Sequence, residues 1–111
     1  MPTTEARAEW PRTIREFSRR NAGRRTRLEI DDPELGAQWQ ELDFKLRGVA
    51  YEPRFRRVEI MLGDGGGPLD GLTHSIEGVS DVCVFSGGDG RDGTLRIGYP
   101  GGEAVLVLAE V

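Results

Sequence analysis

The chain is short of several things, and each shortage closes a class of function. Its 111 residues hold one cysteine, Cys83, which excludes an internal disulfide and every zinc site built from several cysteines. One histidine, His74, excludes a metal site made from a histidine cluster. Lysine is almost missing: of fifteen basic residues only Lys45 is not arginine. Aromatic residues make up 7% and hydrophobic residues 37%. The longest apolar run, Ala104 to Ala109, is too short to span a bilayer. The start, Met1-Pro2-Thr3-Thr4-Glu5, lacks the apolar stretch of a signal peptide. The expectation is a soluble, cytoplasmic protein with one globular domain over residues 1–111, residues 1–6 forming a disordered tail.

Charge is what the chain has in quantity. Charged residues make up 31%, with a net charge of −4. The balance is uneven: residues 1–30 carry +4, residues 31–60 carry −2 and residues 61–111 carry −6. A polyanion binder acting through the whole surface is therefore not expected. The basic N-terminal third is nearly all arginine, whose guanidinium fork binds carboxylate or phosphate in two-pronged fashion. GC-rich coding produces the same arginine bias.

Hydrophobic periodicity gives the elements. Trp10, Ile14, Phe17 and Asn21 fall at spacings of four, three and four, one face of a helix. Pro11 is harmless only in the first turn, so the helix is predicted to start near Arg7 or Ala8, and Gly23 is a natural stop. Everything after Gly23 reads as strand. Thr26, Leu28 and Ile30 alternate with Arg25, Arg27 and Glu29; residues 31–36 read as a turn. Weakly patterned Ala37 to Phe44 leads through a bulge or bend into Leu46 to Tyr51. Val58, Ile60 and Leu62 form the clearest strand, and a glycine-rich loop covers residues 63–71. Leu72, His74 and Ile76 share the face of a short strand. Val82 to Phe85, apolar on both faces, is expected in the middle of the sheet, and Leu95 to Tyr99 pairs with the C-terminal segment across Pro100-Gly101-Gly102. Short strands and short turns mean antiparallel pairing. The predicted class is α+β: an N-terminal helix packed on a curved antiparallel sheet or open barrel of about six to eight strands.

The order of these features resembles a small, uncharacterised bacterial family, a domain of unknown function. The resemblance rests on Trp10 and Phe17-Ser18 on the helix, Leu28-Glu29-Ile30 after a glycine, and Leu46-Arg47-Gly48-Val49. Leu72-Thr73-His74-Ser75-Ile76 and the final glycine-rich hairpin complete it. It implies a helix followed by an antiparallel sheet, and it carries over no activity, ligand or site residue.

Candidate chemistry is sparse. Cys83 and His74 are the only candidate nucleophile and imidazole base. If their strands form a hairpin through Gly78-Val79, His74 faces Cys83, as a thiolate–imidazolium pair requires. A three-residue turn instead sets His74 against Val84 and sends Cys83 to the other face. Gly87-Gly88-Asp89-Gly90-Arg91-Asp92 matches the core of calcium-binding nonapeptide repeats. Those sites form between stacked repeats, whereas this chain has one copy, with Thr94 where a large apolar residue belongs. A mobile hairpin connection without a tight ion is expected. Asp31, Asp32 and Glu34, and likewise Asp64 and Asp70, belong to loops.

The expected function is therefore a non-enzymatic protein-interaction or scaffold domain that associates with itself or with another protein, without cofactor or metal. Its contact surface is expected to be a ridge of Arg12, Arg15, Arg19, Arg20, Arg24, Arg25 and Arg27 together with an exposed sheet edge. Nucleic-acid binding through the arginine-rich helix is one alternative, though the acidic remainder disfavours it. A Cys83–His74 thiol hydrolase or redox sensor is the other.

Overall fold

The computed structural model describes residues 3–4, 7–32, 36–63 and 71–109. A 3-10 turn over Arg7–Glu9 leads into helix α1 (Trp10–Asn21), with Pro11 in the first turn where it displaces no intrahelical hydrogen bond. The predicted stripe is buried: Trp10, Ile14, Phe17 and Asn21 face inward. After Ala22, whose N–H donates to Ser18 O, Gly23 takes the left-handed conformation (φ +90°) that ends the helix.

The strands are β1 (Thr3–Thr4), β2 (Arg25–Asp32), β3 (Gly36–Glu52), β4 (Arg57–Gly63), β5 (Gly71–Ile76), β6 (Asp81–Ser86), β7 (Asp92–Tyr99) and β8 (Gly102–Leu108). They form one antiparallel sheet in the order β1-β6-β7-β8-β2-β3-β4-β5. The two expected segments, Ala37 to Phe44 and Leu46 to Tyr51, form one 17-residue strand. Its first part pairs with β2 and its second with β4, and the expected irregularity lies at Leu46/Gly48, where the partner changes.

Two expectations about strand neighbours fail. The strands carrying His74 and Cys83 do not form a hairpin: β5 pairs with β4, and β6 with β7 and β1. Nor is β6 central, since only two-residue β1 lies outside it. The connection over residues 77–80 explains the first failure. Gly78 (φ +70°) redirects the chain, and fully buried Val79 carries it across the end of the sheet. Val79 N donates to Arg56 O at 2.9 Å and Ser80 N to Gly98 O at 2.8 Å. From Ile76 to Asp81 the chain reaches at most about 19 Å, whereas a flat sheet would hold β5 and β6 about 29 Å apart. The sheet must therefore curl back on itself into an open barrel.

The inner face is the core: Leu28, Leu46, Val58, Ile60, Leu62, Leu95, Ile97 and Leu106 surround the helix stripe. Trp10 meets Tyr51 edge-on, with ring centroids 5.9 Å apart. The helix lies close on β3 because Gly48 has no side chain; a Cβ there would sit 3.2 Å from Ser18 Oγ. Ser18 Oγ accepts the Val49 N–H at 2.9 Å, a backbone donor that β4 leaves unpaired.

Candidate interaction site

The proposed thiol pair is not assembled. His74 stands opposite Ile60 and points inward. Val82 and Val84 take the core face of β6, opposite Ile97 and Leu95, so Cys83 alternates to the outer face opposite Arg96. There it is buried, beside a guanidinium bonded to Glu103 (2.6 Å) and Asp81 (3.2 Å). The two residues occupy opposite faces of strands near opposite edges of the sheet. Among the described residues no group of three or more His, Cys, Asp and Glu is placed to hold a metal, and no helix is long and apolar enough to cross a membrane.

The arginine ridge also divides. Arg12, Arg15 and Arg19 are exposed on α1, Arg12 in an exposed pair with Glu16 at 3.3 Å. Arg25 and Arg27 alternate with buried Thr26 and Leu28, so they project from the outer face of the sheet, away from the helix. Arg24 is not surface at all, being 8% exposed. Its Nη1 donates to Asn21 Oδ1 (3.1 Å) and Asp92 O (2.6 Å), and its Nη2 to Ala109 O (2.8 Å), which ties the helix end to the start of β7 and the end of β8. A charge buried here is tolerable because a counterion is built in. Asp92 Oδ2 accepts from Asn21 Nδ2 at 2.7 Å and from Arg20 Nε at 2.9 Å. Burial pushes the Asp92 carboxyl upward. The Asn21 and Arg20 hydrogen bonds and the charges of Arg20 and Arg24 outweigh that and hold it below its ordinary value.

Asp92 is the last residue of the calcium-like string, and its carboxylate thus faces two arginines. The loop before it has defined internal bonds: Gly87 N to Arg91 O at 2.6 Å, Gly90 N to Gly87 O at 3.1 Å and Arg91 N to Asp89 Oδ1 at 3.0 Å. Its neck is narrow enough that a Cβ on Gly93 would meet the Gly87 backbone at 2.8 Å. Asp64 and Asp70 lie outside the described residues, as does Glu34; Asp31 and Asp32 end β2.

The expected exposed sheet edge is β5. Which of its backbone groups point away from β4 follows from the ladder. Because the Val49 N–H bonds Ser18, Val49 and Ile60 form a non-hydrogen-bonded pair, and Ile60 turns its backbone groups toward β5. His74, opposite Ile60, is then hydrogen-bonded to β4, as are Leu72 and Ile76 two residues either side. Thr73 and Ser75 direct their N–H and C=O groups to the outer edge, where no described strand pairs with them. β5 carries no charged residue and no proline, the usual guards of an edge. Leu72 is 37% exposed. Beside the far end of the strand lies a pocket of about 290 Å³ lined by Ile30, His74, Ser75, Ile76, Glu77 and Tyr99. Ile30 lies near the end of β2 and Tyr99 ends β7, so the pocket sits at the mouth of the barrel opposite the end reached by the C-terminus of α1.

Residues 3–109 match a family of unknown function, DUF5335. The chain belongs to this family. No curated protein and no solved structure matches the chain. Membership in DUF5335 agrees with the resemblance read from the motifs, and the structure explains several of those motifs as packing. Phe17-Ser18 and Gly48-Val49 are the two sides of the helix–β3 contact, and Leu28 is core. The Leu72 to Ile76 motif is different, since it forms β5, the last strand in the sheet order of the described residues. Sequence reading missed the Asn21–Arg24–Asp92 cluster, although a polar Asn21 on an otherwise apolar helix face was a signal for it.

Proposed function

We propose that this DUF5335 chain is a non-enzymatic interaction domain that binds by accepting an extended strand along β5. The observation that carries this reading is an uncharged edge strand whose Thr73 and Ser75 backbone groups face outward beside a pocket of mixed polar and apolar lining. In strand addition, main-chain hydrogen bonds supply affinity and a pocket beside the strand selects a side chain. The test is amide hydrogen exchange of the Leu72→Lys variant in the presence of synthetic extended peptides with alternating apolar and polar residues. Peptides that bind are expected to slow exchange at Thr73 and Ser75. Binding that leaves those two amides unchanged, or no binding by any peptide, would end the proposal.

A second reading has its own observation. At the β3–β4 turn, Phe55 is 52% exposed, and the guanidinium carbons of Arg54 and Arg57 lie 5.5 and 5.1 Å from its ring centroid. An exposed ring among arginines suits single-stranded nucleic acid, which binds through stacking and phosphate contacts. A gel shift at about 50 mM salt is the sensitive test, because phosphate contacts are strongest there. Retardation lost in the Arg54→Ala/Arg57→Ala double variant would support it, and no retardation by the wild type would reject it.

A further inference from the structure

The exposed leucine at one end of β5 and the pocket at the other are complementary in a second copy of the chain. We infer that the strand docking on β5 is β5 of a second molecule, paired antiparallel about a two-fold axis at His74; this rests on the strand-docking reading above. The backbone phase limits the register, and the side chains choose within it. Gly71, Thr73 and Ser75 all turn their backbone groups outward, and of the pairings this allows, Thr73 with the partner's Ser75 and Ser75 with the partner's Thr73 is the one that sets Leu72 against the partner's Ile76. These two pairs form four backbone hydrogen bonds, with His74 opposite the partner's His74 between them.

That register places Leu72 opposite the partner's Ile76, on the inner face of the sheet. Leu72 and Phe55 are the exposed large apolar residues of the described chain, and Ile76 lines the mouth pocket with Ile30 and Tyr99 as its apolar side and His74, Ser75 and Glu77 as its polar side. Each copy therefore offers one leucine and receives one. A two-fold interface requires this kind of self-complementarity, because the same patch serves both sides. Each chain carries a net charge of −4, but no Asp, Glu, Lys or Arg lies within β5, and Glu77 at the rim of the pocket has Arg57 3.8 Å away. The opposite edge differs, since there the chain pairs its own β1 with Thr3 and Thr4 opposite Val84 and Cys83. Pairing of this kind would join the two open barrels into one continuous sheet and leave the β1 end of each sheet outside the interface.

The experiment is light scattering over a concentration series on wild type, Leu72→Lys and Thr73→Pro/Ser75→Pro. Prolines at these two positions remove only outward N–H groups, so the β4–β5 ladder is kept. The wild type is expected to reach twice the chain mass of 12.3 kDa. Leu72→Lys should weaken the dimer roughly tenfold or more, and the double proline variant should be monomeric. His74→Cys in a Cys83→Ala background should form an intermolecular disulfide on oxidation, because the axis brings position 74 against itself. Thr73→Cys alone should not. A wild type that stays monomeric throughout overturns the inference. So does a dimer indifferent to Leu72→Lys, or one that crosslinks through Thr73 rather than His74. If the proline variant does not fold, Leu72→Lys and the crosslink pattern decide. Strand docking in general is judged separately, by peptide protection of Thr73 and Ser75 in the Leu72→Lys variant.

Discussion

The end of the barrel where α1 stops and the edge formed by β5 handle their polar groups in opposite ways. At the helix end, Arg24 reaches three parts of the chain and Asp92 gathers Asn21 and Arg20. Even a single β3 donor, the Val49 N–H, receives a side-chain acceptor. Along β5, by contrast, Thr73 and Ser75 present backbone groups outward on an uncharged strand. Polar groups turned into the structure hold it together, whereas polar groups left on an edge are free to hold something else. The first region should therefore respond to substitution through stability, and the second through association.

The largest effect is expected at the helix stripe. Phe17 is fully buried, and Phe17→Ala should cost about 4 kcal/mol in chemical denaturation. Asp92→Ala removes the counterion of a buried guanidinium and should cost about 3 kcal/mol, read as a drop in Tm of about 12 °C or more. A loss under about 1 kcal/mol would show that the cluster is decorative and blur the contrast.

The same carboxylate predicts a direction with pH. Its folded-state pKa lies below the unfolded one, so its contribution is present above the ordinary carboxylate range and is lost as pH falls through the folded value. Wild type should lose stability on acidification more steeply than Asp92→Asn. Parallel pH profiles would remove Asp92 from the account of acid sensitivity.

Gly93→Ala should cost about 2 kcal/mol, since its methyl group meets backbone that cannot swing aside. The smallest effect on folding belongs to β5. Thr73→Pro/Ser75→Pro should change stability by less than about 1 kcal/mol, because the ladder to β4 does not use those donors. Unfolding of this variant under conditions where Gly93→Ala remains folded would mean that the edge carries stability after all.

Much of the fold was legible because periodicity reports which face of an element is buried. Trp10, Ile14, Phe17 and Asn21 marked the inner side of α1, and the alternation through Leu28, Ile60 and Leu62 marked the inner face of the sheet. The exposed edge was anticipated as a kind of surface, but its position was not. Arg24 was misread as part of an exposed ridge because nothing local distinguishes it from Arg25 or Arg27. Its burial depends on Asp92, 68 residues away.

By itself, the chain's order of residues determined local conformation: where the helix lies, which side chains alternate inward, and where Gly23 and Gly78 let the backbone turn. Only the tertiary structure decided which strands are neighbours. Period-two alternation is the same whether β5 pairs with β4 alone or also with β6, so it cannot show that residues 77–80 cross the end of the barrel rather than fold back as a hairpin. That crossing separates His74 from Cys83 and leaves Thr73 and Ser75 without a partner strand among the described residues. The reason is that strand pairing depends on distant segments meeting in space, while the pattern within a segment records only which of its sides is kept from water.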